Sequence, residues 1–124
     1  MEKTFQKAIT AHKEGRLEEA ERLYRKILQI QPIHPDANNN LGVLLFSLGR
    51  LNEAEECYRK AVKFKKNYAE AHHNLSITLN KCGKFDEAEA SCRKAIDLKS
   101  DYVDAYNNLG NVLKNLTRLD EAEA

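Results

Sequence analysis

Asn40, Asn74 and Asn108 stand 34 residues apart, each immediately before a leucine. A carboxamide carries a hydrogen-bond donor and an acceptor. A row of asparagines at a fixed interval can therefore bind an extended peptide backbone largely independently of its side chains. Nothing comparable points to covalent chemistry. His72 and His73 are neighbours, and neighbours on a helix point about 100° apart, which suits neither joint metal ligation nor a catalytic pair. Cys57, Cys82 and Cys92 are odd in number and share no C-x-x-C spacing, which argues against a disulfide framework and a structural zinc site. The Glu-Ala-Glu segments could serve acid–base chemistry, yet they recur where helix starts and solvation explain them, and no unique constellation marks an active site. The expectation is a non-enzymatic chain that uses no metal and no cofactor.

The bulk properties narrow the partners. Twenty basic and nineteen acidic residues leave a net charge of +1, so the long-range positive field behind non-specific nucleic-acid binding is missing and neither DNA nor RNA is expected. The hydrophobic fraction is 42% and the charged fraction 31%, with no apolar run approaching the length a bilayer needs and no signal-peptide pattern at the start. No membrane contact is expected, and a reducing, cytoplasmic setting fits. The sequons at Asn74 and Asn115 are then expected to be accidental.

The elements that must position the asparagines come from an internal repeat. Gly15-Arg16-Leu17-Glu18-Glu19-Ala20-Glu21 returns as Gly49-Arg50-Leu51-Asn52-Glu53-Ala54-Glu55, as Gly83-Lys84-Phe85-Asp86-Glu87-Ala88-Glu89, and as Thr117-Arg118-Leu119-Asp120-Glu121-Ala122-Glu123. A fixed period of this size means a stack of small units and not one closed core. The units are 1–34, 35–68, 69–102 and a partial 103–124. Each divides at the glycine into two amphipathic stretches. Leu41, Leu45 and Leu48, then Leu75, Leu79 and Cys82, put one apolar stripe on the first stretch; Leu51, Ala54, Tyr58, Ala61 and Val62, then Phe85, Ala88, Cys92, Ala95 and Ile96, do so on the second. Spacings of three and four make both stretches helices.

Gly15, Gly49 and Gly83 fall where a residue of positive φ ends the first helix. Asn52, Asp86 and Asp120 are expected to be N-caps of the second, with Glu55, Glu89 and Glu123 completing capping boxes. Glu21 with Arg25, Glu55 with Arg59 and Glu89 with Arg93 form i,i+4 pairs expected to solvate the outer face. Ala8, Gly42, Ser76 and Gly110, with Ala20, Ala54, Ala88 and Ala122, recur in register and are all small, letting paired helices approach closely.

The 34-residue period, the helix-turn-helix unit, the small residues at positions 8 and 20 and the aromatic near position 24 together resemble the tetratricopeptide repeat. The resemblance covers the whole chain. It implies an all-α fold, a right-handed α-solenoid of antiparallel helix pairs with three full repeats and a truncated fourth, whose first helices line a concave groove that binds peptides or partner proteins. Departures are Lys7 for leucine, Cys92 for the aromatic, Thr117 for glycine, and Lys66 and Ser100 where Pro32 stands in the first repeat; the last two junctions are expected to be more continuously helical or less sharply turned.

Carried over by position, the resemblance places Asp36, Asn39, Asn40, Val43, Phe46 and Ser47 on the groove, followed by Glu70, His73, Asn74, Ile77, Asn80 and Lys81. Asp104, Asn107, Asn108, Asn111, Lys114 and Asn115 complete it. The Asp-Ala-x-x-Asn-Leu-Gly wording and the ladder of Asn40, Asn74 and Asn108 are similar to those of O-linked N-acetylglucosamine transferase repeats, with Gln6 departing in the first unit. Val43, Phe46 and Ile77 are expected to form an apolar patch among the asparagines. The lysine and asparagine places of a chaperone-carboxylate clamp hold Phe5 and Ile9, which disfavours that ligand.

The functional expectation is a module holding an extended segment of a partner protein. Its alternatives are a substrate-recognition arm of a larger transferase and a structural module assembling through its repeat ends. Self-association is expected at the last repeat, where Ala124 is position 22 and Leu109, Val112, Leu113 and Leu116 lose part of their cover.

Overall fold

The computed structural model describes residues 2–123, with Glu123 described by its backbone alone. Among these residues the structure is all-α: α1 (Glu2–Lys13), α2 (Leu17–Ile30), α3 (Pro35–Ser47), α4 (Leu51–Phe64), α5 (Ala69–Lys81), α6 (Phe85–Leu98) and α7 (Val103–Glu123). Two compact units hold them, residues 1–66 with α1 to α4 and residues 67–124 with α5 to α7. In the first unit α1 pairs with α2 and α3 with α4, and α3 also packs on α2 and α1; in the second, α5 pairs with α6, and α7 packs on α6 and α5.

Glycine makes the pairs. Gly15, Gly49 and Gly83 have φ of +79°, +78° and +79°, a region where a Cβ is strained. Each ends its helix in a Schellman motif: Gly15 N–H donates to His12 O at 3.1 Å and Arg16 N–H to Ala11 O at 2.8 Å, with matching pairs at Gly49 and Gly83. These bonds satisfy carbonyls the helix end would leave bare, and the chain reverses within residues 14–16, 48–50 and 82–84.

The expected N-caps are wrong. Arg16, Arg50 and Lys84 precede the second helices, and none makes a side-chain capping bond. Asn52 and Asp86 lie inside the first turn, because the helix starts two residues earlier than the capping reading requires. Asp120 is interior to α7, and the Glu123 expectation falls on a side chain outside the described residues. Arginine instead serves the turn through its side chain, Arg16 pairing with Glu19 and Arg50 with Glu53.

The recurring glutamates do pair with arginine four residues on, at 2.8 Å for Glu21, 2.9 Å for Glu55 and 2.8 Å for Glu89. They do not merely solvate the outer face, since the Glu55 and Glu21 side chains are only 12% and 20% exposed. Glu21 also holds Arg50 at 2.9 Å, and Arg25 and Arg50 both reach Glu53, at 3.7 Å and 2.5 Å. This closed cycle of four charges fastens α2 to α4. Arg50 foremost, then Arg25, holds the Glu21 carboxyl below its ordinary value against the burial that opposes them.

At the small positions Ala8, Ala20, Ala54 and Ala88 are fully buried, and a Cβ on Gly42 would come within 2.6 Å of the Tyr58 ring. The expected pairing of Gly110 with Ala122 does not occur, because α7 runs unbroken through Thr117 and both residues are exposed. Thr117 lacks the glycine's access to positive φ, and its Oγ1 donates back to Leu113 O at 3.0 Å, a bond that keeps a hydroxyl content inside a helix. Leu48, counted on the core stripe, is 44% exposed since it sits at the end of α3. The junctions at Lys66 and Ser100 are not more helical than the one at Pro32: residues 31–34, 65–68 and 99–102 are all non-helical, so the break does not depend on proline. No described helix is long and apolar enough to cross a membrane.

Leucine at Ala54 or Ala88 overfills a contact with no free volume. Each variant should lose about 1–3 kcal/mol, read as a lower melting temperature; an unchanged melt refutes the packing.

Candidate functional site

In the second unit two helical faces converge on an open cleft of about 540 Å³. From α5 come His73, Ile77, Asn80 and Lys81, and from α7 come Asp104, Asn107, Asn108 and Asn111. Offsets of three, four and seven align each set along one side of its helix. Four carboxamides therefore line the cleft around one branched apolar side chain, with an acid on one wall and an ammonium on the other.

Not every carboxamide is turned outward. Asn108 is 8% exposed; its Nδ2 donates to Ser76 Oγ at 2.8 Å, and that hydroxyl donates to Ala88 O at 2.6 Å. One serine thus ties α7 to α5 and α5 to α6. Asn115 Nδ2 donates to Asn80 Oδ1 at 2.8 Å, a second bond between α5 and α7. Asn107 and Asn111 are exposed on the cleft wall. Of the ladder asparagines, Asn40 in the first unit hydrogen-bonds Tyr24, whose hydroxyl lies 3.2 Å from His12 Nδ1, and Asn74 is half-buried on α5. Asn40 and Asn108 therefore fasten helices within their own units.

His73 is 8% exposed and its Nδ1 has no hydrogen-bond partner. Its ring lies 4.9 Å from that of Tyr102, and Lys99 Nζ stands 4.6 Å over the other aromatic ring. Burial lowers the His73 pKa, with Asp104 pulling the opposite way; burial also lowers His12. The expected residues of the first unit lie on α3. Asn39 is buried, Phe46 half-buried and Val43 38% exposed.

Sequence reasoning missed Ser76 as the junction of this network and Tyr102 as the ring beneath His73. The signal for Ser76 was present: a hydroxyl at a position that is otherwise alanine or glycine. His34 was missed too. It caps α3 by accepting from Ala37 N–H at Nδ1, 3.0 Å away, with its ring 4.8 Å from Phe5.

The tetratricopeptide repeat profile matches residues 11–76, and a second TPR repeat profile matches residues 78–116. The chain belongs to the tetratricopeptide repeat family. No curated protein matches it by sequence. Among solved structures, the first TPR of Spaghetti (RPAP3), bound to an HSP90 peptide, superposes with a TM-score of 0.88 at 23% identity, over 92% of this chain and 90% of that one. MamA gives 0.85 at 28% identity, over 93% of this chain and 67% of that one. A mutant O-GlcNAc transferase from Thermobaculum terrenum gives 0.83 at 28% identity, over 90% of this chain and 22% of that one. The fold is that of the all-α tetratricopeptide solenoids.

Two outcomes follow from the site. Ser76→Ala leaves the Asn108 amide buried without its acceptor and should cost about 1–3 kcal/mol; paired with Asn108→Ala, the two losses should sum to more than the double variant shows. Protonation of His73 and His12 is harder folded than unfolded, so the unfolded chain binds more protons below its ordinary value of 6.5. Stability is complete above that value and falls as pH drops toward the depressed folded pKa. Between about pH 7.5 and about pH 5, the urea midpoint of His73→Gln should fall less than that of the parent chain.

Proposed function

We propose that this tetratricopeptide chain is a non-catalytic protein-interaction module that holds an extended segment of a partner protein. The observation that carries the reading is the exposure of Asn107 and Asn111 beside Ile77 in an open cleft between α5 and α7, where Asn80 and Asn108 also bond within the fold. Carboxamides can bond a peptide's N–H and C=O groups whatever its sequence, and the apolar floor takes one side chain. His73 and Lys81 complete the cleft. Asn74 on α5 is a further contact in this reading, and within the first unit the same register offers Asn39, Asn40, Val43 and Phe46 on α3 as a face of its own. Phe5 and Ile9 at the clamp's lysine and asparagine places argue against a chaperone C-terminal carboxylate as the segment held.

A second reading is the substrate-recognition arm of a larger transferase. It is supported by the likeness to the O-GlcNAc transferase, of which the chain spans 22%.

The test begins with selection of binders from a phage-displayed random peptide library on the 124-residue chain. Peptides so selected should bind Asn107→Ala/Asn111→Ala about tenfold more weakly, as two lost bonds of about 0.5–1.5 kcal/mol each require, with helicity by circular dichroism unchanged. Peptides that bind this variant as they bind the parent, or a selection that enriches nothing, would remove the cleft from the account.

A further inference from the structure

In the first unit α2, α3 and α4 border a pocket of about 290 Å³. Leu41 and Leu45 of α3, at 1% and 0% exposed, form its base with Leu28 of α2, and Cys57 of α4 forms a wall. The same place in the first repeat carries Leu23, so the second repeat has a thiol where a bulkier branched side chain would take up part of this space. Asn38 opens on the pocket and is 2% exposed. Its Nδ2 donates to His34 O at 3.2 Å, which fixes the direction of the carboxamide, and its Oδ1 accepts no bond from any described residue. His73 Nδ1 is the one fully enclosed side-chain atom without a partner among the described residues, so the Asn38 oxygen keeps access to the pocket. A buried acceptor is costly until a donor reaches it.

We infer that this pocket binds a small neutral aromatic group carrying one ring N–H or O–H, of the indole or phenol class, with the ring on Leu41 and Leu45 and the donor on Asn38 Oδ1. Size sets the first condition. Ligand pockets run from about 300 Å³ upward, so this one takes a group of one or two rings. Charge sets the second. The rim cations are already paired, Arg25 with Glu21 at 2.8 Å and with Glu53 at 3.7 Å, and Lys60 with Glu56 at 3.9 Å. A charged ligand would have to break into those pairs. Burial pushes the Cys57 thiol up to about 11, so it stands as a neutral S–H and a poor nucleophile, and binding is non-covalent. Apolar walls with one placed acceptor orient a ring that has a polar tip.

The probe is indole, titrated into the isotope-labelled 124-residue chain and followed by amide chemical shifts. Saturable shifts are expected at the Asn38 side chain, Leu41 and Cys57, with a Kd on the order of 1 mM for a ligand this small. Benzofuran has the same shape without the N–H and should bind about fivefold more weakly, with the protein unchanged. Cys57→Leu puts into the pocket the residue type that Leu23 supplies one repeat earlier, and should weaken indole about tenfold by overfilling while the melting temperature does not fall. A capped Gly-Trp-Gly peptide separates the two sources of the group: binding tighter than that of indole supports a partner's tryptophan, and weaker binding supports a free small molecule. The proposal is overturned if indole gives no saturable shift at these residues up to its solubility limit. It is equally overturned if benzofuran binds as tightly as indole, or if Cys57→Leu binds indole as the parent does. None of these outcomes depends on Asn107 or Asn111, so failure here leaves the cleft reading standing.

Discussion

The structure depends on the reversal of the chain at three glycines in the left-handed region. A Schellman turn costs a Cβ-bearing residue strain that glycine avoids, and it returns the chain so soon that the following helix must lie against the preceding one. Close approach then becomes obligatory, and alanine at the contact is the consequence: Ala20, Ala54 and Ala88 have no exposed surface. Where threonine stands in place of the glycine, the reversal does not happen. At Thr117 the described chain instead continues as the single helix α7.

The polar network of the second unit shows how the same architecture ties first helices to one another. Ser76 accepts from Asn108 and donates to Ala88 O, so one buried hydroxyl is bonded to elements on both sides. A buried polar group is tolerated on these terms and is costly on any other. His73 departs from the rule, with an unpartnered Nδ1 at the edge of the cleft, and its lowered pKa is the electrostatic expression of the same burial. In the first unit, order comes instead from the charge cycle of Glu21, Arg25, Arg50 and Glu53. Exposed ion pairs of this kind are each worth about 0–1 kcal/mol, so its contribution is to the register of α2 against α4 more than to stability.

Helix identities and turn positions were legible in the sequence because both rest on local physics. A 3.6-residue stripe and a glycine at C′ operate within a few residues of chain. Capping was misread for a related reason: Asn52 and Asp86 are good N-cap residues, but the tight turn starts the helix at Leu51 and Phe85. The cleft residues His73, Ile77, Asn80, Lys81, Asn107, Asn108 and Asn111 were named through the repeat register. That Asn40 and Asn108 spend hydrogen bonds inside the fold could not be seen, since nothing in the register says whether a partner side chain lies within reach.

By itself the sequence determined the period, the helix pairing and the small residues at each contact, because each is written in residue type and spacing along one helix or one turn. Tertiary structure alone decided which polar groups remain available. Asn108 is committed to Ser76, 32 residues away in sequence, and Gly110 faces open space where Gly42 faces a tyrosine ring. Such choices depend on distances between side chains of different helices, and those distances exist only once the helices have packed.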